Sequence, residues 1–460
     1  MLSILLALIV AATLASGPFW RRDKEHLPLH FWAIYCGFGP ATAFGVEPLA
    51  YRWVMGLAIG GVGVWWYVRR HPWTIDTMMA MPLLMIAWAL SSSIYSDLPD
   101  YSIARAVALL PMYATAFLGV RTLLRQDRGV ENVSNSLLTL VWMSLAVSIA
   151  YWITGIDNVG TSQEYRASDD YRFHGHWKAT GMAHLLASAL PFLCLPLTRS
   201  AGWRRYALLA FSAFIIYLLL ITRSRAGLLG AVAVLPIGYF AILRGMQIVR
   251  ITVSTLTAAL AAIILWQAFA TEKAYRFLRI EDATSMMSSR VDGRWDIIWR
   301  GALESPWVGH GYGTVRYVNQ SGAKSWHLSA STADHVHTHN EYLSLFYDLG
   351  VVPALAFAAF MAVIAVRGVK LLRYPASRMR NLLVATFLSW FITAVDTVTH
   401  DGLMTIGNPG STWFWIKSLM IYYGYEQLRA AERSSVGHPS GAAAQGHAPS
   451  VAERFAVANR

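Results

Sequence analysis

The chain has 460 residues, of which 55% are hydrophobic and 14% are charged, and its mean hydropathy is +0.41. Soluble domains average about 25% charged residues, so this composition excludes an ordinary soluble enzyme and is typical of a polytopic membrane protein. A net charge of +12 would suggest nucleic-acid binding in a soluble protein, but membrane topology accounts for most of the excess here, and we expect no nucleic-acid partner.

Apolar runs recur along the chain and are separated by short polar stretches. Many of them are about 17 to 21 residues long, the length that a helix needs to cross about 30 Å of hydrocarbon. Backbone amides in lipid must pair within their own segment, so these runs are predicted to be helices. The sequence therefore predicts an all-α fold, a polytopic transmembrane helical bundle of about 12 spans. In chain order the candidate spans are residues 2–16, 27–45, 48–67, 77–95, 101–120, 134–153, 179–197, 205–222, 226–243, 251–270, 345–366, 381–399 and 412–429.

Basic residues mark alternate connections between these spans. Cytoplasmic loops carry an excess of Lys and Arg, so these connections are predicted to be cytoplasmic and the intervening ones to lie outside. The outer side then holds the two largest polar segments, residues 154–178 and 271–344. The basic groups are Arg21, Arg22 and Lys24; Arg69 and Arg70; Arg121, Arg125 and Arg128; Arg199, Arg204 and Arg205; Arg244 and Arg250; and Arg367, Lys370, Arg373, Arg378 and Arg380.

This topology divides the chain into four parts. The first is an N-terminal transmembrane bundle of about ten candidate spans at residues 1–270. A large outer loop follows at residues 271–344, and the C-terminal spans occupy residues 345–430. The tail at residues 431–460 is rich in Ser, Gly, Ala and Pro, so it is predicted to be disordered and cytoplasmic.

The cysteines carry no evident chemistry. Cys36 and Cys194 both lie inside apolar runs. Neither a disulfide framework nor a cysteine metal site is therefore expected, although the outer compartment can be oxidising.

Arginines at the predicted outer face are candidates for binding an anion. Arg223 and Arg225 lie in the ITRSRAG segment between two spans, and Arg290 and Arg294 lie in the large outer loop. An arginine flanked by apolar helix is costly at membrane depth unless it snorkels, pairs or faces a wet cavity. Because Arg223 and Arg225 are close to span ends, snorkelling to lipid headgroups is one explanation. The other is that several guanidinium forks converge on a diphosphate.

Residues 332–343, TADHVHTHNEYL, place His335, His337 and His339 at alternate positions. In an extended strand the three imidazoles would share one face, which is a common ligand geometry for zinc. Against a metal site, a capping box at Thr338 would start a helix there and break the alternation. The two other interpretations are a general base and polar residues that only accompany a helix cap.

Thr338 and Glu341 have the T-x-x-E spacing of a capping box, which predicts a helix with Thr338 as its N-cap. The N-terminus is the positive end of the helix dipole, so it disfavours imidazolium and keeps a nearby histidine neutral. A neutral histidine can accept the proton of a hydroxyl group, which is a weak nucleophile until that proton is taken. The predicted cap therefore suits a histidine general base.

Three segments resemble the O-antigen ligase family: SRAGLLG at 224–230, SSRVDGRWDIIWRGALESPWVGHGYG at 288–313, and HTHNEYLSLFYDLGVVPALAF at 337–357. Each motif is loose, but their order and spacing around one large outer loop are distinctive together. The resemblance implies an enzyme of lipopolysaccharide biosynthesis in the cell inner membrane, with its active site on the periplasmic face. Such an enzyme transfers a glycan en bloc from undecaprenyl diphosphate to a sugar hydroxyl of lipid A-core, without metal or cofactor.

The resemblance also implies roles for individual residues. The His-Asn pair of the family motif corresponds to His339 and Asn340, so His339 is predicted to be the catalytic base, with His337 as the second choice. The donor diphosphate is predicted to bind Arg223, Arg225, Arg290 and Arg294.

Three other functions stay open on the sequence. An O-antigen polymerase or a protein O-oligosaccharyltransferase would use the same lipid-linked donor with a different acceptor. A transporter would also have arginines facing a cavity, but it should show repeats and a site near mid-membrane, and neither is found in the sequence. A metal hydrolase would use the histidines as ligands.

Overall fold

A computed structural model describes residues 76–125, 128–154, 179–197, 200–222, 224–242, 295–318, 338, 340–397 and 409–436, with a few isolated positions before residue 69. Throughout these ranges the regular structure is helical, with no β-strand. The all-α prediction is therefore confirmed for this part of the chain. Nearly all of the predicted outer segment 154–178 and most of the loop at 271–344 lie outside these ranges.

Most of the described residues belong to helices. In chain order they are α1 Thr77–Ser91, α2 Pro99–Leu124, α3 Gly129–Thr154, α4 Ala179–Leu197, α5 Trp203–Ile221, α6 Arg225–Ile242, α7 Asp296–Glu304, α8 Glu341–Leu349, α9 Val351–Leu371, α10 Arg378–Asp396 and α11 Pro409–Val436. A π-helical turn interrupts α2 at Ala114–Val120. The last helix continues to Val436, past residue 431, where the disordered tail was predicted to begin.

Within the described ranges, 5 helical segments are long and apolar enough to cross a membrane: Thr77–Ile94, Pro99–Leu124, Gly129–Tyr151, Trp203–Ile221 and Val351–Leu371. Two shorter apolar helices, Gly181–Leu197 and Gly227–Ile242, also match predicted spans. The more polar α10 and α11 coincide with the spans predicted at 381–399 and 412–429. The candidate spans at 2–16, 27–45, 48–67 and 251–270 fall outside the continuously described ranges, so the total of about 12 stays a prediction.

The span predicted at 345–366 is divided by Gly350. This residue has φ +84°, and a Cβ there would lie 2.3 Å from the carbonyl oxygen of Trp307. Glycine is therefore required both for its left-handed conformation and for the close approach of Trp307. The short helix α8 ends here, and the membrane-crossing helix α9 begins at Val351.

Helices α4, α6 and α10 pack closely at the centre of the bundle. A Cβ on Gly227 would lie 2.8 Å from the Cβ of Ala183, and one on Gly238 would lie 2.8 Å from a methyl group of Leu388. Small residues at such positions allow two helix backbones to approach each other, as is common between membrane helices. The packing fixes the relative positions of three helices whose ends carry polar residues.

One end of the bundle, here called the basic end, is defined by Asp76, Arg121, Glu131, Arg378 and Tyr423. Arg121 forms an ion pair of 2.9 Å with Asp76, which also accepts a 2.6 Å hydrogen bond from the Tyr423 hydroxyl. Arg378 pairs with Glu131 at 2.6 Å. The contacts of Asp76 join the start of α1 to α2 and α11, and the Arg378–Glu131 pair joins α10 to α3. The arginines belong to groups that were predicted from the sequence to be cytoplasmic.

The opposite end, here called the loop end, is defined by Ser92, Tyr312, Glu341 and Thr397. The backbone N–H of Tyr312 donates to Ser92 Oγ at 2.9 Å. The backbone N–H of Glu341 donates to the carbonyl oxygen of Thr397 at 3.0 Å. The segment 295–318 and the start of α8 therefore pack on the ends of the membrane helices that lie away from the basic end.

Candidate functional site

The segment 295–318 is attached to α8 by an apolar cluster. Ile298 and Ala302 of α7 are buried together with Val315 and Tyr347. A Cβ on Gly301 would lie 2.7 Å from the Tyr347 ring, so the two helices cross closely. This packing fixes α7 beside the helix that follows the histidine motif.

Backbone turns in GHGYG wrap around Asp348 of α8. Gly309, Gly311 and Gly313 all have positive φ, a conformation that glycine adopts without the strain other residues would suffer. The N–H of Gly313 donates to Asp348 Oδ2 at 2.8 Å, and that of Val315 donates to Oδ1 at 2.9 Å. Within this structure the glycines form turns around a buried carboxyl group.

The carboxyl group of Asp348 is 4% exposed. Burial raises its pKa to about 7, because a charged carboxylate is poorly solvated there, while the N–H groups of Val315 and Gly313 act in the opposite direction. Asp348 lies in α8, before the membrane-crossing helix α9. Its protonation state therefore influences how firmly the GHGYG turns are held.

The start of α8 differs from the predicted capping box. The N-cap is Asn340, whose side chain accepts a 3.0 Å hydrogen bond from the N–H of Leu343. Thr338 lies before the helix, where its hydroxyl contacts Ser344. The assignment of Thr338 as N-cap is therefore wrong. Asn is at least as good an N-cap as Thr, and the Thr338 hydroxyl is already used by Ser344.

The indole of Trp295 connects α7 to the histidine motif. Its Nε1–H donates to the carbonyl oxygen of Thr338 at 2.7 Å. Trp295 follows Arg294 in the chain, and Thr338 precedes His339. Arg294 and His339 are 45 positions apart in the sequence, and the structure brings their immediate neighbours into contact.

The predicted site side chains themselves are not described. Arg225 is the first residue of α6, but nothing is described of its side chain. The other predicted site residues lie outside the described ranges: Arg223, Arg290, Arg294, His337 and His339. The roles assigned to all six side chains therefore stay predictions.

The two residues that flank Arg223 in the sequence lie inside the bundle. Thr222 and Ser224 are both buried, and the N–H of Ser224 donates to Thr222 Oγ1 at 3.3 Å. One turn later, Gly227 packs against Ala183 of α4. The end of α5 and the start of α6 are therefore buried, and α6 begins next to the first turns of α4.

The metal interpretation of the histidines is not resolved by this structure. Among the residues it describes, no group of three or more His, Cys, Asp or Glu side chains is placed to hold a metal ion. His335, His337 and His339, which carry that interpretation, lie outside the described ranges.

A cavity of about 640 Å³ lies between α7, α8 and the start of α9. Asp296 and Asn340 contribute polar groups to a lining that is otherwise dominated by apolar and aromatic side chains. The aromatic lining residues are Trp295, Trp299, Tyr342 and Phe346. The cavity lies at the end of a candidate membrane span and reaches the N-cap that follows His339. Its size and lining suit an apolar ligand.

A buried polar network at the loop end was missed by the sequence reasoning. It joins His184 of α4, Thr393 and Asp396 of α10, and Lys417 of α11. Asp396 and Lys417 lie inside spans that the sequence predicted. Ionisable residues within a membrane span are functional candidates by default, and this rule could have identified both.

Comparison with protein-family models gives a match over part of the chain. Residues 210–358 match the family model Wzy_C, described as O-antigen ligase. No curated protein matches the chain. The matched range includes the three motifs that suggested the resemblance, from α5 through α8 into α9. The comparison therefore confirms the predicted resemblance to the O-antigen ligase family and locates it at residues 210–358.

Proposed function

We propose that this protein is an O-antigen ligase, which transfers a glycan en bloc from undecaprenyl diphosphate to a sugar hydroxyl of lipid A-core. The family match supports a membrane enzyme of glycosyltransferase type that acts on lipid-linked glycans, and the candidate membrane helices agree with it. The donor, the acceptor, the inner membrane and the periplasmic side of the site are part of the proposal.

In the proposed reaction His339 accepts the proton of the acceptor hydroxyl. The hydroxyl oxygen then bonds to the anomeric carbon of the donor, and the bond from that carbon to the diphosphate oxygen breaks. Undecaprenyl diphosphate leaves with the bonding electron pair, and His339 later releases its proton to water. A single displacement of this kind inverts the anomeric carbon, and it needs a base but no metal.

Arg223, Arg225, Arg290 and Arg294 are proposed to bind the diphosphate. Guanidinium groups donate paired hydrogen bonds to phosphate oxygens and stay charged at every physiological pH. They would therefore stabilise the negative charge that develops on the leaving group. His337 is the second choice for the base.

The observation that carries the proposal is the contact between Trp295 and Thr338, inside the matched family domain. It joins the neighbours of Arg294 and His339 at 2.7 Å. A base and a phosphate-binding arginine on these two segments would lie at one place, as a transfer reaction requires.

The cavity beside α8 supports a lipid-linked donor. It is largely apolar, it lies at the start of α9, and Asn340 lines it. A polyprenyl chain in this cavity would place its diphosphate close to the histidine motif. Aromatic residues such as Trp299 and Phe346 would contact the chain without requiring hydrogen bonds.

The test is reconstitution of the full-length protein with purified lipid-linked glycan and purified lipid A-core. We expect glycosylated lipid A-core to form at the same rate with and without EDTA. Elongated lipid-linked glycan instead would identify a polymerase, and glycosylation of an added protein would identify an O-oligosaccharyltransferase. Loss of activity with EDTA, restored by a divalent metal, would contradict the metal-independent mechanism.

A further inference from the structure

Lys417 is a buried lysine with three oxygen partners. Its side chain is 4% exposed. Nζ lies 3.0 Å from Thr393 Oγ1, 3.2 Å from Ser389 Oγ and 3.3 Å from the Ser389 carbonyl oxygen. These three oxygens accept the three N–H bonds of an ammonium group, and all of them are neutral. Among the described residues, no carboxylate contacts this nitrogen.

The hydroxyl group of Thr393 contacts His184 as well as Lys417. The hydroxyl oxygen of Thr393 lies 3.0 Å from His184 Nε2, and Nδ1 of the same ring lies 3.4 Å from Asp396 Oδ2. An ammonium group only donates hydrogen bonds, so Thr393 accepts from Lys417 and keeps its own proton to donate. The Ser389 carbonyl oxygen at 3.2 Å is one acceptor for that proton, and Nε2 is the nearer one.

The hydrogen bonds therefore run from Lys417 through Thr393 to His184, and the His184 ring meets Asp396 in an ion-pair contact. This direction requires the ring proton of His184 on Nδ1, facing the carboxylate, a tautomer that is inferred from the network. Lys417 and Asp396 then stand at the two ends of this network. Four side chains from three helices contribute, so the network also connects α4, α10 and α11.

The network of these four side chains is more exposed at the loop end than inside the bundle. Lys417 and Thr393 are almost fully buried, whereas the side chains of His184 and Asp396 are 17% and 19% exposed. Thr397 directly follows Asp396, and its carbonyl oxygen accepts the N–H of Glu341 at 3.0 Å. The more exposed end of the network is therefore joined, through Thr397, to the first residue of α8, immediately after the histidine motif.

We propose that Lys417, Thr393, His184 and Asp396 are positioning residues for the transfer reaction, because they fix the end of α10 and, through Thr397, the start of α8. The inference rests on the proposed function. Lys417 anchors the Thr393 hydroxyl from inside the bundle, and His184, which contacts both Thr393 and Asp396, limits where that carboxylate can lie.

Packing alone does not explain this arrangement. Charged groups inside a membrane bundle are expensive, and buried ion pairs can often be replaced by apolar residues without loss of stability. A network that only held helices together could therefore be apolar. Its position next to the histidine motif points to a role in the reaction.

The experiment compares Thr393→Val, which keeps the shape but removes the hydroxyl, with Thr393→Ser, which keeps the hydroxyl. Tyr423→Phe is the matched control, because it also removes one hydroxyl hydrogen bond, but at the basic end. The melting temperature, kcat and the KM for the donor are measured on the full-length protein in lipid. Thr393→Val should lower kcat by about 10- to 100-fold, as expected for a mispositioned site, and should leave the donor KM within about twofold.

Thr393→Ser should restore most of kcat, and Thr393→Val should melt at a temperature close to that of Tyr423→Phe. A kcat for Thr393→Val equal to that of Tyr423→Phe would overturn the proposal. If Thr393→Val does not fold, variants of the partly exposed Asp396 replace it. Asp396→Asn should lower kcat, and Asp396→Glu should retain more of it. Equal kcat values for these two variants would overturn the proposal.

Failure of the proposed function gives a different result. A wild-type enzyme that glycosylates another acceptor contradicts the ligase assignment, but the same variants can still be compared on that acceptor. A wild type that transfers glycan to no acceptor at all would overturn both proposals.

Discussion

Trp295 and Thr338 are joined by a hydrogen bond of 2.7 Å from the indole N–H to the backbone carbonyl oxygen. The bond connects the first turn of α7 to the residue before His339. A partly buried carbonyl that loses its donor costs about 1–3 kcal/mol. The contact is therefore strong enough to determine where the histidine motif lies relative to α7.

Trp295→Phe removes this donor and keeps an aromatic ring. We expect kcat to fall by about tenfold or more, since a small displacement of a catalytic group is sufficient for such a loss. Trp307→Phe is the control, because Trp307 is an exposed tryptophan of the same segment. Initial rates of glycan transfer for both variants test the prediction, and equal rates would count against a positioning role for Trp295.

The membrane helices could be predicted from the sequence because hydrocarbon thickness fixes their length and backbone pairing fixes their conformation. Helix α4 begins and ends where the apolar run at 179–197 predicted. The break at Gly350 was missed, because α8 and α9 together form one apolar run and only the contact with Trp307 reveals the left-handed turn. Boundaries set by tertiary contacts are invisible to periodicity.

The candidate site was predictable only in part. The histidine motif and its helix could be recognised, but Thr338 was taken as the cap in place of Asn340, since both residues suit that position and the competing Ser344 contact depends on the fold. Lys417 was treated as part of an apolar span. Its partner Thr393 lies 24 positions away along the chain, and His184, which contacts Thr393, lies 209 positions from Thr393. No local pattern encodes such separations.

The topology can be tested by single cysteine replacements at Lys324 and Arg373 in intact cells. We expect a membrane-impermeant thiol reagent to label position 324 and not position 373, because residues 271–344 are predicted to be periplasmic and 367–380 cytoplasmic. Labelling after lysis is the control for accessibility of both positions. The opposite pattern in intact cells would reverse the orientation and, with it, the side of the proposed site.

The phosphate-binding role of the arginines can be tested by replacement with lysine. Lysine keeps the charge but loses the planar fork, so Arg290→Lys and Arg294→Lys should lose nearly as much activity as the alanine variants. Arg223→Lys and Arg225→Lys should behave in the same way. Transfer rates and the KM for the donor are the measurements. Full activity in all four lysine variants would leave these arginines only a diffuse electrostatic role.

The raised pKa of Asp348 predicts that the stability of the protein depends on pH. Its pKa in the folded protein is about 7, above the ordinary value of 3.8, so between these values the folded protein retains a proton that the unfolded chain has lost. This contribution favours folding at low pH and is lost as the pH rises through about 7. One pKa unit corresponds to about 1.4 kcal/mol.

Asp348→Asn does not titrate, so the stability of the wild type relative to this variant should fall between pH 5 and pH 8. Thermal unfolding in detergent at both values measures the difference. Glu304→Gln, which changes an exposed carboxylate of the same region, should show no such trend. A wild type that gains stability over Asp348→Asn with rising pH would show that the N–H groups of Gly313 and Val315 outweigh burial.

The three interpretations of the histidine motif predict different patterns of loss. If His339 is the base, His339→Ala should lower kcat by about 10²- to 10⁴-fold and leave folding and donor binding nearly intact. If the histidines bind a metal, His335→Ala and His337→Ala should be comparably damaging, and EDTA should inactivate the wild type. If they only accompany a helix cap, the cap residue itself should matter most.

Since the cap is Asn340, the third interpretation is tested there. Asn340→Ala should then cause the largest loss, through about 1 kcal/mol of stability, and His339→Ala should be mild. Asn340→Ser retains a capping oxygen and is the matched control. We expect His339→Ala to abolish transfer and Asn340→Ser to stay active, in the presence of EDTA as in its absence. An active His339→Ala enzyme would contradict the assignment, and His337 would then be the residue to test as the base.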